Sequence, residues 1–257
     1  MLTHRTTCIA FGLALAALVA LNFVFPVAWY WFALLIVAFL SIEFYGAYFV
    51  HSNFHIRAMC KADTSEKVIA LTFDDGPMQE RTDAILNLLD KFNVKATFFC
   101  IGSRIKGNEE VLKNIHKRGH LIGNHSYSHS NLFDLKNTSQ MIDDLKKGNN
   151  EIKRVIGLEP LFFRPPYGVT TPSLARASKR LKLEVIGWNV RSLDTTIKNR
   201  QELVDRVTRR IQPGSILLFH DTVNGLEFAL EDILTYLSQN GYKVVELDKL
   251  IQKQAYA

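Results

Sequence analysis

The spacing of hydrophobic positions changes along this chain. From Cys8 to Phe25, and again from Val27 to Ile42, no charged residue interrupts the sequence, and Pro26 separates the two runs. Each run is close to the length of a helix that crosses a bilayer, about 17–25 apolar residues. Trp29, Tyr30 and Trp31 gather at the turn between them, and Phe44, Tyr45 and Tyr48 at the far end, as interfacial aromatic belts do. The pattern predicts a transmembrane helical hairpin over residues 1–50. A cleaved signal peptide is the competing reading. His4 and Arg5 give it a basic start and Ala14-Leu15-Ala16 a small-residue pattern, but the apolar stretch runs well past a usual signal core.

Residues 51–66 read as a juxtamembrane linker, and from Lys67 onward the pattern changes again. Short β-rich runs, "VIALTF", "KATFFCI", "HLIGNH", "LFFR", "LEVIGW", "SILLFH" and "YKVVEL", alternate with stretches of helical period. The helical stretches are Arg81 to Phe92, Thr138 to Ile156, Pro172 to Leu181, Gln201 to Ile211 and Leu226 to Gln239. Repeated strand-helix units imply an α/β fold with a parallel sheet. Several strands are apolar throughout, as burial on both faces requires. The count is about seven units, short of a full eight-stranded barrel.

In such folds, polar residues at the C-terminal ends of the strands converge on one rim. Asp74 and Asp75 follow the first strand, His125 and His129 the third, Arg164 and Tyr167 the fourth; Asp194 lies beyond the fifth, and His220 and Asp221 end the sixth. Taken singly, each has an ordinary explanation. "DDGP" is most often a turn, "HSYSH" a chance pair on a helical turn, "RPPYG" a stiff loop, and His220 a satisfied core histidine. Together they are a site. Two adjacent acids after a buried strand carry a desolvation cost that a metal would offset. Two imidazoles and one carboxylate with an open position make the ligand set of a catalytic zinc. His4, His51, His55, His116 and His120 lack such a context and read as surface or packing residues.

Composition narrows the choice further. The formal charge is +6, but basic and acidic residues are interleaved without a block of like charge, so neither nucleic acid nor a protein partner is predicted. Cys8, Cys60 and Cys100 are widely spaced, which implies neither a disulfide framework nor a zinc ribbon.

"TFDDGP", "HSYSH", "RPPY" and "LLFH", in this order over about 180 residues, resemble the successive motifs of the polysaccharide deacetylase family, the NodB-homology or carbohydrate esterase family 4 enzymes. The resemblance covers Lys67 to about Leu250, so that residues 67–257 form the catalytic domain. It implies a distorted (β/α) barrel of about seven parallel strands and metal-dependent removal of acetyl groups from N-acetylglucosamine-containing glycans. It also implies roles. Asp75, His125 and His129 hold a divalent metal, zinc first and Co2+ or Mn2+ as alternatives. Asp74 is the general base, and the Tyr167 amide stabilises the oxyanion. His220 is the acid for the leaving amine, Arg164 orients the base, Asp194 tunes the acid, and Leu217 floors a pocket for the acetyl methyl. One stretch departs from the pattern: where the family often has Asp-x-x-Asp-Trp, this chain has Arg191-Ser192-Leu193-Asp194-Thr195.

An even number of spans returns the chain to its starting side. Arg5 before the hairpin and Arg57, Lys61 and Lys67 after it place both ends in the cytoplasm by the positive-inside rule. That topology favours a lipid-linked aminosugar over external wall polymer as substrate. A catalytically silent, membrane-tethered carbohydrate or metal binder is the non-enzymatic alternative, although such a binder needs neither Asp74 nor His220.

Overall fold

Both uncharged N-terminal runs are helical. The computed structural model describes residues 2–257, in which α1 (His4–Asn22) and α2 (Trp29–Tyr48) form an antiparallel pair. Phe11 and Phe39 stack between them with ring centroids 4.3 Å apart. Both helices are long and apolar enough to cross a membrane, and only 6% of each apolar window is buried within the protein.

The remaining elements alternate as the sequence pattern predicts. They are β1 (Val68–Asp74), α3 (Arg81–Lys91), β2 (Thr97–Cys100), α4 (Gly102–Ile105), α5 (Glu109–Lys117), β3 (Leu121–Asn124), α6 (Thr138–Ile156), β4 (Phe162–Phe163), α7 (Pro172–Arg180), β5 (Glu184–Val185), β6 (Val190–Arg191), α8 (Arg200–Thr208), β7 (Ile216–His220), α9 (Leu226–Gln239), β8 (Lys243–Val244) and α10 (Leu247–Ile251). α6 begins where Asn137 and Gln140 cap each other, and α7 where the Thr171 hydroxyl accepts from the Leu174 amide. Pro172 at the first turn of α7 has no amide hydrogen to satisfy.

Seven parallel strands run in the order β5-β4-β3-β2-β1-β7-β6, and β8 pairs with the start of β1. The single run "LEVIGW" and the residues after it supply both β5 and β6, which lie at opposite edges of the sheet. Only a strongly curled sheet lets eight residues, 184–191, join its two edges, so this segment draws the sheet into a distorted barrel. The segment between hairpin and barrel takes part in the closure. Met59 donates to the Val185 carbonyl and accepts from the Gly187 amide, each at 2.9 Å, and Ala62 donates to Gly214 at 2.9 Å. Part of the stretch read as a linker is therefore paired to the barrel.

Period-two alternation sorts the strand residues. Ile69, Leu71 and Phe73 of β1, with Leu217 and Phe219 of β7, pack outward against the helices. Ala70 and Ile216 point inward with Phe99 and Phe162. Because every strand is parallel, the C-terminal ends share one rim, and the hairpin meets the protein beside it. The Thr170 amide donates to the Ala47 carbonyl at 2.9 Å, and the His4 amide to Phe54 at 3.1 Å. Gly46 is required there, since a Cβ would lie 2.2 Å from the Phe54 ring.

Candidate active site

Asp75, His125 and His129 each offer a ligand atom, and these atoms all lie within 4.8 Å of one another. His125 Nε2 is 3.7 Å and His129 Nε2 3.4 Å from Asp75 Oδ1. The tautomer of His125 follows from its other nitrogen. Nδ1 lies 2.8 Å from the Arg164 carbonyl, which can only accept, so Nδ1 carries the hydrogen and Nε2 presents its lone pair to the cluster. Burial, followed by the neighbouring His129, pushes the His125 pKa down to about 3, so this ring is neutral at neutral pH. The donor types and their convergence fit a divalent metal ion.

The "HSYSH" spacing works differently from the expectation of a helical turn. Residues 125–129 are irregular, with Ser126 at φ 63° and His129 at φ 43°. The loop turns back on itself, held by the Ser126 hydroxyl accepting from the His129 amide at 2.9 Å, and brings the two rings to 4.8 Å. Asp75 and Tyr167 also have positive φ, 78° and 58°, so left-handed backbone is concentrated at this rim. Gly76 is dictated by its neighbour, because a Cβ there would lie 2.2 Å from Asp221 Oδ2.

Asp74 ends β1 pointing inward and is buried. Arg164, itself fully buried, donates from Nη1 to Asp74 Oδ1 at 2.8 Å and to the Thr72 hydroxyl at 2.7 Å, and from Nη2 to the Gly187 carbonyl at 2.9 Å. Its guanidinium carbon lies 4.2 Å from the Phe99 ring centroid. This one side chain ties β1, β4 and the β5–β6 crossover together beneath the rim. Burial raises the Asp74 pKa above the usual carboxylate range, against the opposing pull of Arg164 and His220. Oδ2 stays free of Arg164, 3.8 Å from His125 Nε2.

Across the cavity, Asp194 holds His220 twice. Its Oδ1 lies 2.8 Å from His220 Nδ1, and its Oδ2 accepts the His220 amide at 2.7 Å. Burial alone would lower the His220 pKa; the hydrogen bond and charge of Asp194, with Asp74 and Asp75, outweigh it and raise it. The Tyr167 hydroxyl donates to Asn131 at 2.9 Å and its ring packs edge-on to His129, while among the described residues nothing accepts from its backbone amide. A cavity of about 210 Å³ joins Asp74, Asp75, His125, His129, Tyr167 and His220.

Two expectations need correcting. Leu217 does not floor this cavity: it packs outward in the sheet-helix core, and Leu218 lines the site in its place. A strand alternates faces, so a residue facing the site with His220 must be an even number of positions away. Asp221 also leaves the rim. Its carboxylate accepts from the Thr82 hydroxyl at 2.6 Å, and burial, with Asp75 and Asp74 nearby, pushes its pKa up to about 7. Trp188 is a further site residue; it lines the cavity from the crossover between β5 and β6, and its place at the C-terminal end of the run "LEVIGW" is the available signal.

The sequence profile of the family described as polysaccharide deacetylase matches residues 61–186. Among curated proteins, the chain is 35% identical over 197 residues to peptidoglycan-N-acetylmuramic acid deacetylase PdaC of Bacillus subtilis, covering 76% of this chain but 41% of that protein. It is 34% identical over 193 residues to peptidoglycan-N-acetylmuramic acid deacetylase PdaA of the same species, covering 74% of this chain and 73% of that one. The crystal structure of the Bc1960 peptidoglycan N-acetylglucosamine deacetylase superposes with a TM-score of 0.74 at 31% identity, over 78% of this chain and 95% of that one. Similarity of this extent over a shared barrel identifies the chain as a member of the polysaccharide deacetylase family, carbohydrate esterase family 4.

Proposed function

We propose that this protein is a hydrolase that removes N-acetyl groups from N-acetylglucosamine-containing glycans and is held to a membrane by α1 and α2. The observation that carries the reading is the placement of a carboxylate on Arg164 and an imidazole on Asp194 across one small cavity from the Asp75, His125 and His129 cluster. Asp75, His125 and His129 would hold a divalent metal, zinc by its donor types, which would supply Lewis acidity toward the acyl oxygen and the attacking water. The chain's own residues account for the proton movements.

Arg164 occupies Asp74 Oδ1 and leaves Oδ2 to take the proton of the attacking water. A base with a raised pKa suits this task at neutral pH. As water adds to the acyl carbon, negative charge develops on the acyl oxygen, and the free Tyr167 amide donates to it. His220, fixed through Nδ1 by Asp194, then delivers the Nε2 proton to the departing nitrogen. The C–N bond breaks, and acetate and a free amine leave. A silent binder would need neither the held base nor the held acid.

The relatives are named for two different sugars, N-acetylmuramic acid and N-acetylglucosamine, so the acetamido group is what the reading requires of the substrate. Acetate release from chitooligosaccharides and peptidoglycan fragments, measured together with elemental analysis, tests the reading. Wild type is expected to carry one divalent metal per chain and release acetate. His125→Ala with His129→Ala should lose both, and metal retained at wild-type stoichiometry would sink the ligand assignment. The basic residues flanking the hairpin favour the cytoplasmic side for the barrel by the positive-inside rule.

A further inference from the structure

The catalytic cavity has a larger neighbour. Tyr167, Trp188 and Arg191 form a wall common to the two, and behind it lies a second cavity of about 550 Å³. Its lining carries Lys61, Arg191, Arg206 and Arg210 and no carboxylate. Among the described residues, none of the three arginines has a carboxylate within ion-pair distance. The neighbouring Asp205 instead pairs with Arg209, and its other carboxylate oxygen with Gln201. Arg206 Nε donates to the Arg191 carbonyl at 3.2 Å, and Arg210 Nη1 to the Arg206 carbonyl at 3.1 Å, so each of these two side chains is held against the main chain of another arginine. Like charges held this way repel unless an anion lies between them. Burial first, and then the charges of Arg210 and Arg191, lower the Arg206 pKa.

The far wall of this cavity belongs to the hairpin. Tyr48 and Phe49, at the end of α2, line it while remaining 52% and 37% exposed. The same end of α2 is bonded to the active-site loop through Thr170. An occupant of the second cavity would therefore meet the arginines and the membrane-proximal aromatics while lying against Tyr167, Trp188 and Arg191, which also line the catalytic cavity. A neutral soluble oligosaccharide uses only the catalytic cavity. In a 2-acetamido sugar carrying a phosphate on C1, the acyl group and the anion sit on adjacent carbons, which suits two cavities with a common wall. Arginine is the side chain best shaped to bind phosphate through paired donors.

We propose that the second cavity is a subsite for the phosphate of a membrane-held, lipid-linked N-acetylamino sugar, with Arg206 and Arg210 as its principal contacts. The identity of this ligand as a substrate rests on the deacetylase reading, whereas recognition of its phosphate does not.

The experiment uses the full chain in nanodiscs of zwitterionic lipid and measures equilibrium binding of three probes. They are polyprenyl-phosphate-linked N-acetylglucosamine, a neutral alkyl N-acetylglucosaminide of matched length, and soluble N-acetylglucosamine 1-phosphate. Wild type should bind the first at least about tenfold more tightly than either of the others. In R206Q/R210Q the ratio of phosphate-linked to neutral lipid affinity should collapse to about one. Arg210→Gln alone, at an exposed position, should lower it part of the way. A wild-type ratio near one, an unchanged ratio in both variants, or equal binding of the soluble phosphate would each overturn the proposal. Binding is read without turnover, so absence of acetate release from every glycan would strike the deacetylase reading and leave this test intact.

Discussion

Arg164, in the barrel, is fully buried, while Leu40, in the middle of α2, is 57% exposed. The two regions invert the usual placement of polar and apolar side chains, and the difference shows how each can be understood. A buried guanidinium must be satisfied within the protein, and Arg164 is, by Asp74, Thr72 and the Gly187 carbonyl. Its partners are therefore dictated by the chain itself, and they identify the site. The apolar face of the hairpin has no such partners, since neither helix buries more than a small part of its span. Its meaning depends on the surrounding medium, and large contiguous apolar surface in contact with water is unfavourable.

The largest expected effect tests the barrel half of this comparison. Asp74→Asn keeps an oxygen for Arg164 but cannot take a proton, so turnover should fall by about 10²–10⁴-fold while metal content is kept. Steady-state acetate release and elemental analysis on the same preparation decide it. Near-wild-type turnover would mean that the buried pair is only structural.

An intermediate effect tests the hairpin half. Replacing an exposed leucine on a solvated helix usually changes stability by no more than about 0.5 kcal/mol. At the centre of a membrane span, an aspartate costs about 2.5–3.5 kcal/mol in insertion. Leu40→Asp should therefore shift the chain out of the alkali-resistant membrane fraction. Unchanged fractionation would return the hairpin to water or to a protein partner.

The contrast also explains which features were legible in the sequence. The bounds of α6 and α9, and the arrival of Asp74, His125, Arg164 and His220 at one rim, follow from local period and strand polarity, which a sequence displays directly. The split of one apolar run into β5 and β6 does not, because it depends on two distant strands, β4 and β7, pairing with opposite ends of that run. α5 is absent from the sequence reading although Val111, Leu112 and Ile115 have helical spacing, and its nine residues are no fewer than those of α7 and α8, which the pattern does predict. The four-residue spacing of His125 and His129 predicts one helical turn, but a loop with two left-handed residues satisfies it equally well. The exchange of Leu217 for Leu218 is an error of parity that His220 could have prevented.

The smallest expected effect sharpens the idea that buried partners set the behaviour of the barrel, and it concerns Asp194. Burial depresses the His220 pKa, and the hydrogen bond and charge of Asp194 more than reverse this, helped by Asp74 and Asp75. An acid with a raised pKa stays protonated to higher pH, so turnover should decline only as pH rises through that folded value. Asp194→Asn removes the main raising influence and leaves burial in place, so the alkaline limb of kcat/KM should move to lower pH. Stability is linked with the same sign. The favourable interaction of charged His220 is fully present below the unfolded histidine value of about 6.5 and is lost as pH rises through the folded one. The difference in thermal stability between wild type and Asp194→Asn should thus be widest in acid and narrow with rising pH. An alkaline limb that does not move would assign it to a group other than His220, and a stability difference independent of pH would mean that Asp194 positions the ring without charging it.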